Sequence, residues 1–275
     1  MNHSPQLYTY SSSIQLEYAL FGKGVKKLVC FHGFGQNLMV FNDLSTKLDD
    51  HQIVSINLLF HGKSRRQEGP KYLHQNEWKD IFDGFLNHLK INHFSVLGYS
   101  LGGRYTASTL KSFENRIDHC ILIAPDGIVK RSSYEFATFP LGSEQLFGFF
   151  MKNPKPFFIF LSLIEKTKLF NQWTIDFSRA QLQDEEQRMR VYHSWITLRK
   201  FRMRQLELIK RINAGNFQST VIFGKYDKII QPKRHFYFLN QIPKAKVIIL
   251  DTGHTKLLNE SFAEVSDVLN KSKSL

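Results

Sequence analysis

Three side chains far apart in the chain, Ser100, Asp227 and His254, have the types needed to make a hydroxyl group nucleophilic. A histidine takes the serine proton, and a carboxylate holds the imidazole in the tautomer that leaves its other nitrogen able to do so. Ser100 lies in Gly98-Tyr99-Ser100-Leu101-Gly102-Gly103, after the apolar run Phe94–Leu97 and before a helix-period pattern that starts at Leu101. That context reads as a sharp strand–turn–helix connection. Small residues beside the serine let the backbone pass close to its neighbours and lift the hydroxyl clear of the strand. The bare string also fits a glycine-rich turn with an N-capping serine; the strand before it and the helix after it favour the nucleophile.

Asp227 ends Gly224-Lys225-Tyr226-Asp227, just past the run Thr220–Phe223, and His254 ends Asp251-Thr252-Gly253-His254, just past Lys246–Leu250. A lone acid or histidine on a loop is ordinarily a solvated group. Two of them, each beyond a strand and in the order Ser, Asp, His, point to one site. Asp126, in Ala124-Pro125-Asp126-Gly127, also follows a strand and is the rival acid. The stretch from Asp227 to His254 suits one helix, Pro232–Gln241, and one strand, which favours Asp227. The loop Phe31-His32-Gly33-Phe34-Gly35-Gln36 follows an earlier strand and could aim a backbone amide at a developing oxyanion. The donors expected are the N–H groups of Phe34 and Leu101, with His32 holding the loop. Tyr99 and Arg104 flank the serine as candidate substrate contacts. Arg104, one turn into the helix, equally fits an ion pair with a structural carboxylate.

The elements that must position these residues follow from hydrophobic periodicity. Leu28–Phe31, Ile53–Ile56, Phe94–Leu97, Ile121–Ala124, Val221–Phe223 and Val247–Leu250 are near-continuous runs of β-formers, as in strands covered on both faces. Leu38–Leu48, Asn76–Lys90 and Leu101–Ser112 carry helix-period apolar positions between them, and Ser12–Phe21 reads as an N-terminal antiparallel strand. The alternation predicts a doubly wound α/β sheet. It breaks from about Ile128 to Asn213, where helical stretches (Glu144–Lys152, Phe157–Lys168, Glu185–Arg211) are rich in aromatics, and resumes at Thr220. The expected organisation is an α/β core at 1–127, a helical insertion at 128–213, and the rest of the core at 214–275.

The 275 residues carry a formal net charge of +13. Fifteen Lys/Arg against eight Asp/Glu fall between Val129 and Asn213, so the insertion holds more than half of the excess. The run Arg199-Lys200-Phe201-Arg202-Met203-Arg204 reads as a solvated helix face, with a membrane surface or acidic headgroup as the second reading. No nucleic-acid-binding signature accompanies the charge, so a nucleic-acid partner is not expected. Cys30 and Cys120, both in predicted core strands, read as buried free thiols, which fits a reducing cytoplasm. Met1-Asn2-His3-Ser4-Pro5 lacks the pattern of a secretory signal, and Phe157–Ile164 is too short to span a bilayer. No metal-ligand spacing occurs among the eleven histidines, and neither a metal nor an organic cofactor is expected.

These motifs resemble the α/β-hydrolase superfamily in its capped, single-domain form. The resemblance covers the chain outside the insertion and includes His32-Gly33, Gly98–Gly103, Asp227 and His254. It also includes Asn57-Leu58-Leu59-Phe60-His61-Gly62-Lys63-Ser64, which is similar to the family's D-x-x-G-H-G-x-S turn. Asn57 stands where that turn has Asp, and Phe60 where it has Gly, a departure expected to be one of local packing. The resemblance implies an α/β-hydrolase fold: a mostly parallel eight-stranded sheet, helices on both faces, and a helical cap. It implies an acyl-transfer hydrolase acting on a small molecule. A serine at residue 100 disfavours the dehalogenase and epoxide-hydrolase branches, which use Asp there. The aromatics Phe147, Phe149, Phe150, Phe157, Phe158, Phe160, Trp173, Tyr192 and Trp195 either fill the insertion's own core or line an apolar pocket, which favours a carboxylic ester with an apolar acyl or aryl group. The string around Arg104 is also similar to that of the menaquinone-pathway SHCHC synthase. A lyase or C–C bond hydrolase on an anionic substrate is therefore the alternative, and a non-catalytic ligand-binding member the third reading.

Overall fold

The computed structural model describes residues 4–67, 72–129, 143–166, 175, 179 and 182–271. The runs of β-branched and aliphatic residues form one sheet. Its strands are β1 (Gln6–Thr9), β2 (Ile14–Phe21), β3 (Lys26–Phe31), β4 (His51–Ile56), β5 (Arg65–Arg66), β6 (Phe94–Tyr99), β7 (Ile117–Ile123), β8 (Gln218–Gly224) and β9 (Lys246–Leu250). The order is β1-β2-β4-β3-β6-β7-β8-β9, with β5 paired to β2. Every pairing from β4 to β9 along that order is parallel, while β1, β2 and β5 run antiparallel to their partners. The sheet thus has nine strands where eight are expected, the addition being the two-residue β5.

Helix α1 (Gln75–His88) and helix α2 (Gly102–Phe113) pack by apolar faces. The Trp78 and Phe82 rings stack at 5.2 Å, and Phe31 and Tyr105 close edge-on around Trp78. The one polar atom that Trp78 carries inward, its indole N–H, donates to Thr109 Oγ1 at 3.1 Å. Each phenylalanine buried in this way contributes roughly 2 kcal/mol. Cys30 and Cys120 lie buried as free thiols, and burial pushes both thiol pKa values up, that of Cys120 to about 12.

Two expected helices differ. Leu38–Leu48 is a pair of short 3₁₀ turns, Leu38–Phe41 and Asp43–Lys47, the first capped by the Asn37 side chain. Leu38, Phe41 and Leu44 are buried, and a 3₁₀ turn repeats every third residue, so the same spacing serves either helix type here. Glu185–Arg211 is not continuous: one helix spans Glu185–Thr197 and another Gln205–Ala214. Between them Phe201 and Met203 are buried while Arg204 is exposed, an extended alternation. Phe201 packs edge-on against Tyr105 and Trp78, at 5.1 and 6.0 Å. The basic run 199–204 is therefore not a helix face.

By its internal contacts the chain divides into two units, Met1–Val129 with Phe201–Leu275, and Lys130–Lys200. The helix Gln205–Ala214 thus groups with the sheet, whereas the sequence pattern assigns residues up to 213 to the insertion. Within the second unit, Ser143–Lys152 packs on Glu185–Thr197, and the rings of Phe147 and Trp195 stack at 5.5 Å. Phe150 meets Phe157 edge-on at 5.9 Å, and buried Arg188 donates to the carbonyls of Met151, Leu182 and Gln183. Several of the insertion's aromatics therefore pack on one another while only half-buried, and Phe149 is exposed. Trp173 and the Phe160 side chain lie outside the described residues. No helix among the described residues is long and apolar enough to cross a membrane.

Candidate active site

Parallel strands deliver their C-terminal ends to one edge of the sheet, and loops there converge. Ser100 follows β6 directly, His32 follows β3, Asp227 lies just beyond β8, and His254 just beyond β9. Ser100 has φ = +51°, the left-handed region that a side chain ordinarily avoids. The turn is pinned from within: Ser100 N–H donates to the Ile123 carbonyl at 3.0 Å, and its own carbonyl accepts from Asp126 N–H and Gly103 N–H at 2.8 and 2.9 Å. A methyl group on Gly102 would overlap the Phe31 carbonyl oxygen, so this turn needs glycine at that position. The strain at Ser100 is thus held by the surrounding backbone and leaves the side chain at the turn's apex.

His254 Nε2 lies 3.1 Å from Ser100 Oγ, and His254 Nδ1 lies 2.6 Å from Asp227 Oδ2. The Asp227 side chain is fully buried, and its other oxygen accepts from the amides of Ile229 and Ile230 at 2.8 and 2.7 Å. With both oxygens engaged by donors, the carboxylate fixes the proton on Nδ1 and turns the Nε2 lone pair toward Ser100. The three residues singled out from the sequence are together.

The rival acid has a different partner. Asp126 Oδ2 accepts from Arg104 Nε at 2.8 Å; Arg104 is buried and Asp126 partly so. Of the two roles open to Arg104, the structure shows the ion pair with a carboxylate. Tyr99 is the other candidate substrate contact. It is buried, its hydroxyl donates to the His254 carbonyl at 2.7 Å, and its ring lies against the His254 imidazole at 5.2 Å. Burial, aided by the nearby Asp227 charge, raises its phenol pKa.

The amides of Phe34 and Leu101 donate no hydrogen bond to any described residue. The neighbours of Phe34 are tied down instead. Gly33 N–H donates to Gln36 Oε1 at 2.9 Å, and Gly35 N–H donates to His61 Nε2 at 3.1 Å. His32 is buried, with Nδ1 2.7 Å from the Gly33 carbonyl and Nε2 3.1 Å from Asn57 Oδ1. It is a structural member of the loop. Phe60, where the resembling turn has Gly, takes φ = +69°.

The arrangement defines a class: an α/β protein with a hydrogen-bonded Ser, His and Asp at the C-terminal edge of a parallel sheet. The family model for the alpha/beta hydrolase fold matches residues 26–261, and the chain belongs to that family. A hydrolase of Bacillus subtilis named YugF is 29% identical over 110 residues, 40% of this chain and 40% of that protein. A candidate 2-succinyl-6-hydroxy-2,4-cyclohexadiene-1-carboxylate synthase of Bacillus subtilis is 28% identical over 96 residues, 34% of this chain and 35% of that protein. The matches thus span well under half the length of these relatives. A thermophilic esterase from Thermogutta terrifontis superposes with a TM-score of 0.71 at 17% identity, over 98% of this chain and all of that one. That likeness is one of fold.

Proposed function

We propose that this α/β-hydrolase cleaves a carboxylic ester bearing an apolar acyl or aryl group, through an acyl-enzyme on Ser100. The observation that carries the reading is the Ser100–His254–Asp227 relay, at 3.1 and 2.6 Å, on a serine held at positive φ. In this mechanism His254 Nε2 takes the Ser100 proton as Oγ attacks the ester carbonyl. The tetrahedral oxyanion rests on the amides of Phe34 and Leu101, each contributing about 3 kcal/mol. His254 returns the proton to the departing alkoxide. Water then attacks the acyl-enzyme with His254 as base, releasing the acid and restoring the Ser100 hydroxyl. Asp227 keeps the imidazole in one tautomer throughout and stabilises its positive charge. Residues 130–200 are the cap of this hydrolase in the same reading.

The pairing of buried Arg104 with Asp126 supports an ester over the anionic substrate of a synthase-type lyase, because it engages the arginine that reading relies on. The test is a series of p-nitrophenyl esters from acetate to decanoate. Turnover is expected, with kcat reduced on the order of 10⁶-fold in Ser100→Ala. Absence of turnover across the series, by protein whose fold is intact, removes the ester reading.

A further inference from the structure

The Phe34 amide is a useful donor only if its loop is rigid, and a loop amide with no partner of its own cannot fix itself. The loop is gripped by the turn Asn57–Ser64 at three points, two beyond Phe34 and one before it. On one side His61 Nε2 accepts from Gly35 N–H. On the same side Asn57 Oδ1 accepts from Leu38 N–H at 2.7 Å. On the other side His32 Nε2 accepts from Leu58 N–H at 3.2 Å. Asn57 can accept from Leu38 only with its oxygen turned toward the loop, and a carboxamide has two orientations.

Glu17 selects between them. It is a buried carboxylate on β2, 40 residues from Asn57 in sequence. Its Oε2 accepts from Asn57 Nδ2 at 2.7 Å and from Lys63 N–H at 2.7 Å. A carboxylate accepts and does not donate, so it holds the Asn57 nitrogen and points the Asn57 oxygen at the loop. The same turn is closed by Ser64, whose hydroxyl donates to the Asn57 carbonyl and accepts from Glu17 N–H. The departure at position 57 is thereby explained. An aspartate there would set two carboxylates against each other in a buried site, and one of them would have to take up a proton.

We propose that Glu17 is a positioning residue for the oxyanion donor of Phe34, acting through Asn57. The proposal rests on the ester-hydrolase reading above, since the group it positions is that reading's oxyanion donor. The experiment compares wild type with Asn57→Asp, Glu17→Gln and the double variant, using p-nitrophenyl butyrate across pH 5.5 to 8.5. Thermal unfolding is followed in parallel. At pH 8, N57D is expected to lose at least about tenfold in kcat with KM changed little, because a displaced donor fails the transition state and not the bound ester. The deficit should shrink toward low pH, where the carboxylate pair takes up a proton, and E17Q/N57D should return to within about threefold of wild type.

A kcat for N57D within twofold of wild type at every pH overturns the proposal. So does a double variant that regains thermal stability without regaining kcat, which is the signature of a merely structural pair. Should N57D not fold, E17Q alone decides. Its amide can present a donor to Asn57, so a fall in kcat with KM steady is expected, and unchanged kcat overturns the proposal. Wild-type turnover of the ester tests the underlying reading separately from these ratios.

Discussion

The Tyr99 hydroxyl donates to the backbone carbonyl of His254 at 2.7 Å. The residue just before Ser100 therefore also anchors the loop that carries His254. The Tyr99 ring lies beside the His254 imidazole, and a methyl group added at Gly33 would touch the same ring. One buried side chain thus links the Ser100 turn, the His254 loop and the loop His32–Gln36.

Removing only that hydroxyl isolates its effect. Tyr99→Phe keeps the ring contacts and leaves the His254 carbonyl without its donor, at an expected cost of about 1–2 kcal/mol. Steady-state kinetics should show kcat down by about tenfold with KM nearly constant, because the base is misplaced and the substrate surface is untouched.

Asp227→Asn should be far more damaging. The amides of Ile229 and Ile230 can still donate to the side-chain oxygen, so the loop is expected to fold normally. The carboxamide nitrogen then faces His254 Nδ1 and favours the wrong tautomer, with a fall in kcat of about 10⁴-fold. Circular dichroism and ester turnover on the same preparation check both halves.

Asp126→Ala should behave in the opposite way. It leaves the Arg104 guanidinium buried without its carboxylate, which costs about 3 kcal/mol of stability. Urea unfolding should show this loss, while kcat falls much less than in Asp227→Asn. A loss of activity equal to that of Asp227→Asn would assign the acid wrongly.

His119 supplies a pH dependence. It is buried on β7 against Thr220 Oγ1 at 2.8 Å, and burial, reinforced by the Lys246 and His51 charges, lowers its pKa from 6.5 to about 4. The unfolded chain therefore binds this proton first as pH falls. Stability from this group is intact above pH 6.5 and is lost progressively between pH 6.5 and 4, by about 3 kcal/mol. Unfolding free energies across that window should fall more steeply for wild type than for His119→Gln.

What the sequence made legible was local. Ser100, Asp227 and His254 each sit within a few residues of a strand end, so strand periodicity and chain order were enough to bring them to one edge. The partners of Arg104 and Tyr99 were not legible. Arg104 meets Asp126 only because the Ser100 carbonyl receives the Asp126 amide, and Tyr99 meets His254 across 155 residues. Glu17 belongs to no motif, and its role depends on register between β2 and the turn after β4. The charges of the run 199–204 suit a helix face, whereas burial of Phe201 and Met203 in alternation goes with extended backbone.

Activation of Ser100 as a nucleophile is read directly by covalent labelling. The folded protein is treated with a fluorophosphonate and the modified peptide is located by mass spectrometry. One adduct on Ser100 is predicted, formed rapidly in wild type, slowed greatly in His254→Ala and absent in Ser100→Ala. A folded wild-type protein that leaves Ser100 unmodified, or that is modified equally fast without His254, would contradict it.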